Sequence, residues 1–322
     1  MKKVLILLGP TGVGKTGASI LLAEALSTEI ISADSMQIYR GMDIGTAKPT
    51  VEERAGIRHH MIDIVDPSES YSTGQYVETI IPIIEGILKK GKIPIIVGGT
   101  GLYIKALTKG IFSGPSADWT LREDLLSLER KEKGSLYGYL VKLDPDAAHK
   151  IERNDIRRMV RALEVCIRSG KKISSLRERF TEPLPYAFIK MGLTRERKEL
   201  YRLIDARADD MIQRGLQEEA AKILSMNPDR TPMQAIGYKE FTSHLKGEIT
   251  NDEAVRLVKR NSRRYAKRQF TWFKKEEGIT WADITGMFES VWVYQAMRAI
   301  LERSYPEVFE DRTDNSRANM HA

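Results

Sequence analysis

A glycine-rich segment near the N terminus constrains the fold of this chain more than any other feature. The residues Gly9-Pro10-Thr11-Gly12-Val13-Gly14-Lys15-Thr16 match the pattern G-x-x-x-x-G-K-S/T at every fixed position. An apolar run, Lys3–Leu8, precedes the segment, and a helical pattern, Lys15–Leu26, follows it. Glycines let a backbone wrap closely around an oxyanion, and the N terminus of the following helix adds partial positive charge. The segment therefore predicts a phosphate-binding loop, or P-loop, between a strand and a helix.

Two side chains of this loop carry its chemistry. Lys15 supplies a mobile positive charge, and Thr16 supplies a hydroxyl for Mg²⁺, so the pattern indicates bound polyphosphate without identifying a nucleotide. A nucleotide hydrolase usually carries a further acid at the end of a strand to hold Mg²⁺. The best strand for that role, Ile93–Val97, is followed by Gly98-Gly99-Thr100-Gly101 and no acid, which argues against a motor-type ATPase. Two acids elsewhere remain as substitutes, Asp63 and Asp66.

Strand and helix patterns alternate through the first hundred residues. After Lys3–Leu8, further strands are predicted at Glu29–Ala33, Met61–Val65 and Ile93–Val97. Strands that alternate with helices are typical of right-handed βαβ units and a parallel sheet. Continuous apolar strands are expected where helices cover both faces of the sheet. The pattern predicts an α/β fold, with a P-loop NTPase-like parallel sheet as its core.

The pattern changes after Gly110, which predicts a division of the chain. Residues 113–184 contain charged helical patterns and no convincing strand, whereas Tyr186–Leu193 is a plausible last strand of the same sheet. The simplest account is a helical insertion domain at 113–184 within an α/β core formed by 1–112 and 185–305.

The C-terminal part of the core is predicted to be mainly helical. Helical patterns run from Arg195 to Glu277, with a short strand at Trp281–Ile284 and a final helix at Met287–Arg303. The polar tail, 306–322, is predicted to be disordered.

Composition and charge narrow the class of protein. Among 322 residues, 42% are hydrophobic and 30% are charged, which is close to ordinary soluble usage and excludes disorder of the whole chain. The single cysteine, Cys166, allows neither an internal disulfide nor a Cys-based zinc site, which indicates the cytoplasm. No stretch approaches the roughly 20 apolar residues of a membrane span. The net charge of +7 suits a polyanionic partner.

An acidic residue, Asp34, comes directly after the second predicted strand. In an open α/β sheet, ligands bind beyond the carboxyl ends of the strands, which places Asp34 near the P-loop. A carboxylate there could orient Mg²⁺ or accept a proton from a substrate. The alternative is that Asp34 only caps the turn that follows it.

A concentrated basic segment lies between Ala254 and Lys275, with nine basic residues and no acid. Its first seven basic residues recur at spacings of three and four, which puts them on one half of a helix: Arg256, Lys259, Arg260, Arg263, Arg264, Lys267 and Arg268. Like charges on one face repel each other, so the pattern predicts contact with nucleic-acid phosphates. The alternative is a solvated face that pairs with acids elsewhere in the chain.

Several segments together resemble tRNA dimethylallyltransferases, also called tRNA isopentenyl transferases. Besides the P-loop, the matching segments are Ile31–Pro49, His59–Asp63, Gly98–Tyr103, Asn154–Arg158, Gly237–Tyr238 and Lys267–Trp272. The run from Asp34 to Pro49 is distinctive, whereas many kinases share the P-loop. The chain has no second cysteine for the zinc finger that eukaryotic relatives can carry, so it resembles the bacterial form.

The resemblance implies transfer of a dimethylallyl group from its diphosphate to N6 of adenosine 37, in the anticodon loop of tRNA. It implies that the P-loop and Arg207 bind the diphosphate with Mg²⁺, that Asp34 is the general base, and that Thr100 contacts the amine. It further implies tRNA contacts at Asp34, Ser35, Met36, Gln37, Thr100, Arg122, Arg157, Arg158, Met159, Val160 and Arg161. No protein partner is implied, and we expect a monomer.

Two other functions remain open at this stage. A nucleoside or small-molecule kinase would use the same loop for ATP and Asp34 to deprotonate a hydroxyl, but it has no need of the basic helix. A P-loop RNA-binding protein without chemistry would use the helix, but it has no need of Asp34.

Overall fold

The computed structural model describes residues 2–111, 114–180 and 182–310. The chain forms two compact units, the first from Met1–Ile104 with Pro185–Ala322 and the second from Lys105–Leu184. The insertion predicted at 113–184 lies within the second unit, which begins eight residues earlier, inside the helix that follows the fourth strand.

A parallel sheet forms the centre of the first unit. Its strands in the described residues are β1 (Lys3–Leu8), β2 (Ile30–Ala33), β3 (His59–His60), β4 (Ile95–Gly98), β5 (Ala187–Thr194) and β6 (Ile279–Asp283), in the order β3-β2-β4-β1-β5-β6. Every neighbouring pair is parallel, and Leu5 on β1 lies between Ile95 and Ile189. The prediction of an α/β fold with a parallel P-loop core is confirmed. Parallel order matters for function because it brings the loops after β1, β2 and β4 to one edge of the sheet.

The helices follow in chain order. They are α1 (Lys15–Ala25), α2 (Thr73–Lys89), α3 (Gly101–Lys109), α4 (Trp119–Lys131), α5 (Ser135–Leu143), α6 (Pro145–Lys150), α7 (Ile156–Ser169), α8 (Ile173–Phe180), α9 (Arg197–Gln213), α10 (Leu216–Ser225), α11 (Tyr238–Leu245), α12 (Asn251–Phe273), α13 (Ser290–Ser304) and α14 (Glu307–Glu310). No helix in the described part of the chain combines the length and the apolar content needed to cross a membrane.

The basic segment forms α12, which is the longest helix in the described residues. The Thr250 side chain caps its N terminus by accepting a hydrogen bond from the Glu253 N–H at 3.2 Å. Its buried side chains recur at helical spacing, and they are Ala254, Val258, Ala266, Gln269 and Phe273. Since Ala266 and Val258 belong to two different core clusters, one face of α12 is fixed along much of its length.

The second unit packs its helices around α7. Asp155 caps the start of α7 by accepting the Arg158 N–H at 3.2 Å, and Gly170 ends the helix with a φ of 64°. Met159 and Leu163 are fully buried on the inner face of α7. The two ends of this unit are joined by a hydrogen bond from the Leu184 N–H to the Leu107 carbonyl at 3.0 Å.

Three predicted elements are corrected by the structure. The third strand is β3 at His59–His60 rather than Met61–Val65, because Met61 and Asp63 adopt positive φ values of 61° and 56° that end the strand. The last long helix begins at Ser290 rather than Met287, since Glu289 is still extended at its N-cap. The predicted disorder of 306–322 is wrong for Glu307–Glu310, which form α14, and 311–322 lie outside the described residues.

Candidate active site

The P-loop occupies the turn between β1 and α1, as the sequence predicts. Gly14 stands at the N-cap of α1 with a φ of 109°, in the left-handed region that glycine adopts without strain. At Gly9, a Cβ would lie 2.7 Å from the Leu193 carbonyl oxygen of β5, so a side chain there would push the loop off the sheet. These two glycines therefore hold the loop close to both the helix and the sheet.

Lys15 folds back on its own loop. Its Nζ donates hydrogen bonds to the carbonyl oxygens of Gly9 and Pro10, each at 2.9 Å. Burial, helped by the nearby Arg207 guanidinium, lowers the pKa of Lys15 to about 7, although the Asp34 carboxylate partly opposes both effects. An anion bound at this loop would raise the pKa of Lys15 again, because it would stabilise the ammonium form.

Arg207 reaches the loop from α9. Its Nη2 donates a hydrogen bond to the Thr11 hydroxyl at 2.5 Å. Burial lowers the pKa of Arg207, and Asp34 counteracts that effect. Lys15 and Arg207 thus place two cationic groups from distant segments beside one loop, which is the arrangement that a diphosphate needs.

Asp34 lies at the end of β2, beyond the carboxyl edge of the sheet. Its Oδ1 accepts hydrogen bonds from the N–H groups of Met36 at 2.8 Å and Gln37 at 3.4 Å. The capping alternative is therefore correct for one oxygen. In the described residues no hydrogen bond is formed by the other oxygen, Oδ2, which leaves it available for a substrate.

Thr100 ties the end of β4 to the Asp34 turn. Its hydroxyl accepts the Ser35 N–H at 3.1 Å, and its own N–H donates to the Ala33 carbonyl at 3.1 Å. The Thr100 and Ser35 hydroxyls lie 3.4 Å apart. Thr100, Ser35 and Asp34 consequently form one rigid polar edge.

Two cavities of about 250 and 280 Å³ meet at this edge, and Thr11, Asp34 and Arg207 line both of them. The larger cavity is walled by the P-loop, including Lys15 and Thr16. The smaller cavity has one apolar wall, formed by Ile204, Ala208, Met211, Leu216, Val258 and Tyr265, opposed by polar residues that include Asp34 and Arg207. An anionic group and an apolar group of one molecule could therefore bind side by side, with Asp34 at the junction.

Residues outside the predicted site brace these walls. Gln269, on the buried face of α12, bonds both the P-loop and the Gly99 carbonyl. Glu219, on α10, accepts the N–H groups of Asp43, Ile44 and Gly45 at 2.9–3.0 Å. Neither was predicted, although Gln269 stands inside the matching segment Lys267–Trp272, which is the one signal that could have found it.

The basic face of α12 is partly neutralised. Arg256 pairs with Glu253, Lys259 with Asp209 and Arg263 with Asp205, at 2.6, 2.6 and 2.5 Å. For these three residues the structure shows the pairing with acids that was the alternative, because α9 and the first turn of α12 present acids to them. Arg260 is half-buried. Three side chains are exposed and have no ion pair within the described residues, Arg264, Lys267 and Arg268, and Arg268 also lines the apolar cavity.

The arginines of the second unit are divided between its core and its surface. Arg122 and Arg161 donate to the fully buried Glu164, Arg122 with two bonds of 2.8 Å and Arg161 with one of 2.5 Å. Burial alone would raise the pKa of Glu164, but hydrogen bonds from Arg122, the Asp118 N–H and Arg161 outweigh it and lower that pKa.

The same α7 segment corrects part of the predicted tRNA contact. Met159 is 0% and Val160 5% exposed, because the amphipathic helix turns both side chains into the core of the unit. Arg157 and Arg158 are exposed, and Arg158 is 3.3 Å from Asp155. The side chains of Met159 and Val160 are therefore not presented at the surface of the unit, whereas those of Arg157 and Arg158 are, and tRNA contact by this segment stays a prediction.

Comparison with known proteins identifies a family. The family model described as IPP transferase matches residues 37–276. A tRNA dimethylallyltransferase from Thermodesulfovibrio yellowstonii is 53% identical over 314 residues, which cover 94% of this chain and 99% of that protein. The full-length tRNA isopentenylpyrophosphate transferase from Bacillus halodurans, known from a crystal structure, is 40% identical in sequence. The two structures match with a TM-score of 0.70 over 98% of this chain and 100% of the Bacillus chain.

Crystallographic snapshots show a eukaryotic dimethylallyltransferase acting on tRNA. That protein is 33% identical to this chain, and the two structures match with a TM-score of 0.78. That match covers 94% of this chain and 78% of the eukaryotic protein. The resemblance noted in the sequence is confirmed, and the chain belongs to the IPP transferase family.

Proposed function

We propose that this chain transfers a dimethylallyl group from dimethylallyl diphosphate to N6 of adenosine 37 in the anticodon loop of tRNA, releasing diphosphate. The observation that carries the proposal is the junction of the two cavities at Asp34, with Lys15 and the rest of the P-loop on one side and an apolar wall on the other. The names of the relatives, tRNA dimethylallyltransferases, support the same reaction.

The leaving diphosphate would bind the P-loop, residues Gly9–Thr16. Lys15, Arg207 and the loop amides would neutralise the charge that develops when the bond between the allylic carbon and oxygen breaks. Thr16 lines this cavity, and its hydroxyl is a hard oxygen ligand of the kind that Mg²⁺ prefers, so it fits the ion together with oxygens of the diphosphate. Bound Mg²⁺ would supply further neutralisation of the diphosphate.

The acceptor is a poor nucleophile, because the lone pair of the exocyclic amine is delocalised into the adenine ring. Asp34 would accept the amine proton on Oδ2 as the new carbon–nitrogen bond forms. Thr100, fixed through Ser35, would contact the same amine. The apolar wall would exclude water, which would otherwise capture the allylic cation.

The tRNA would present its adenosine as a flipped base from a splayed anticodon loop. Ser35, Met36 and Gln37 would contact the loop near that base. The exposed cations of α12 would contact backbone phosphates, as would Arg157 and Arg158 of the second unit. Because Arg256, Lys259 and Arg263 already pair with acids, we assign them a smaller share of this contact.

The test is a transfer assay with labelled dimethylallyl diphosphate, Mg²⁺ and unmodified tRNA. Label should appear in adenosine 37, and a tRNA with guanosine at that position should stay unlabelled. Asp34→Asn, which keeps the size of the side chain and removes its basicity, is the matched control. Absence of label together with phosphorylation of a nucleoside by ATP would replace the proposal with the kinase alternative.

The setting of the reaction is part of the same proposal. We expect a monomer in the cytoplasm, where the buried thiol of Cys166 would stay reduced. Sedimentation equilibrium at micromolar concentration should give the mass of one chain, and a dimer mass would contradict this expectation.

A further inference from the structure

Gln269 joins two loops of the candidate active site. Its Oε1 accepts the Thr11 N–H at 2.8 Å, and its Nε2 donates to the Gly99 carbonyl at 2.9 Å. The side chain is only 6% exposed, although its neighbours Lys267 and Arg268 on the same helix are exposed. One amide thus reaches from α12 to the P-loop after β1 and to the loop after β4.

The chemistry of the two partners requires an amide of this length. The Thr11 N–H can only donate and the Gly99 carbonyl can only accept, so a carboxylate or an ammonium could satisfy one partner but not both. Gly99 makes room for the amide, because a Cβ there would lie 2.2 Å from Gln269 Nε2. The Gln269 amide therefore complements the donor at Thr11 and the acceptor at Gly99, and it occupies the space that the missing side chain of Gly99 leaves.

One of these loops would bind the leaving diphosphate, and the other lies beside the proposed general base. Thr11 belongs to the loop that would bind the leaving diphosphate, and its hydroxyl is fixed by Arg207. Thr100 follows Gly99 directly and is bonded to Ser35, beside the proposed base Asp34. The distance between leaving group and base is consequently set through Gln269.

We propose that Gln269 is a positioning residue for dimethylallyl transfer, which fixes the P-loop relative to the Gly99–Thr100 loop. This inference rests on the proposed function. A displacement of about 1 Å in such a site can cost about 10²-fold in rate even when both substrates still bind.

The test separates positioning from binding and from stability. Gln269→Asn keeps the amide but shortens its reach by one methylene, so it cannot span both partners. We expect the single-turnover rate at saturating tRNA and dimethylallyl diphosphate to fall about 10²-fold, with both dissociation constants close to the wild-type values. Gly99→Ala is a second variant, since its methyl group would displace the Gln269 amide without changing residue 269.

The matched control is Asn261→Ser on the same helix, which removes the 2.7 Å bond from Asn261 to Glu240 and leaves the P-loop untouched. It should lower the melting temperature and keep the single-turnover rate. A normal rate in Gln269→Asn, or an equal rate loss in Asn261→Ser, would overturn the inference and leave the proposed function standing. Absence of transfer by the unaltered chain would overturn both.

Discussion

Glu219 offers the sharpest prediction about how the site is held in shape. Its Oε2 accepts the Asp43 and Ile44 N–H groups at 3.0 and 2.9 Å, and its Oε1 accepts the Gly45 N–H at 3.0 Å and the Tyr238 hydroxyl at 2.5 Å. The residues that follow, Thr46 and Ala47, line both cavities. One carboxylate therefore anchors the loop that completes the walls of the site.

Glu219→Gln keeps the shape of the side chain but replaces one acceptor oxygen with an NH₂ donor. If the NH₂ takes the place of Oε2, the bonds from the Asp43 and Ile44 N–H groups are both lost. If it takes the place of Oε1, the bond from the Gly45 N–H is lost, while the Tyr238 hydroxyl can turn to accept from the new donor. At about 1.5–3 kcal/mol for each hydrogen bond to a charged group, the loss is about 1.5–3 kcal/mol for one bond and about 3–6 kcal/mol for two. Since the damage is local to residues 43–47, most of this cost should appear as opening of that loop.

The assay is hydrogen exchange at the Asp43, Ile44 and Gly45 amides, combined with equilibrium unfolding. We expect at least about 10-fold faster exchange at these three amides and a lower transfer rate, because about 1.4 kcal/mol corresponds to one factor of ten. Glu218→Gln is the control, since Glu218 is the exposed neighbour and the change in charge is the same. Equal exchange in both variants would refute the anchoring role of Glu219.

Three further predictions concern charge in the site. Asp34→Asn should lower turnover by about 10²–10⁴-fold while tRNA binding, measured by filter retention, persists; parallel loss of both would make Asp34 a binding residue. Because the free pKa of Lys15 is about 7 and a bound diphosphate would raise it, affinity for a diphosphate ester should be full below pH 7 and decline as the pH rises through the pKa of the complex. Calorimetry on Lys15→Arg, which stays charged, should show no such decline, and equal profiles would contradict the assignment. Arg268→Ala should reduce the salt slope of tRNA binding by about 0.7–0.9, whereas Arg263→Ala should reduce it less because Arg263 already pairs with Asp205; the reverse order would contradict this division.

The sequence predicts those features that are recorded in local patterns. The P-loop lies where its glycines and the flanking strand and helix put it, and Asp34 lies at the predicted edge because parallel strands end together. The third strand was misplaced because the apolar run Met61–Val65 looks extended, whereas the positive φ values of Met61 and Asp63 depend on distant contacts. One of these contacts is the ion pair between Asp63 and buried Lys48 at 2.5 Å.

Positioning residues could not be predicted from local patterns. Glu219 is separated from the loop that it anchors by more than 170 positions, and Gln269 from Thr11 by more than 250. Their polar atoms are matched by tertiary packing, which one sequence does not record. The partners of Lys259 and Arg263 on α12 could not be named for the same reason, because Asp209 and Asp205 lie on another helix.

The distribution of unpaired charge on α12 follows from its contacts with α9. Asp205 and Asp209 are one helical turn apart on α9, and they neutralise Arg263 and Lys259. Arg207 lies between them in sequence but points to Thr11, where its own pKa is lowered by burial. Lys15 and Arg207 already lie close together at the P-loop. Further unpaired positive charge on the adjoining part of α12 would therefore disfavour the charged forms of both side chains. The acids of α9 remove that repulsion at Lys259 and Arg263. On the described part of α12, half-buried Arg260 and exposed Arg264, Lys267 and Arg268 keep their charge without an ion pair, and a polyanion can neutralise the three exposed ones.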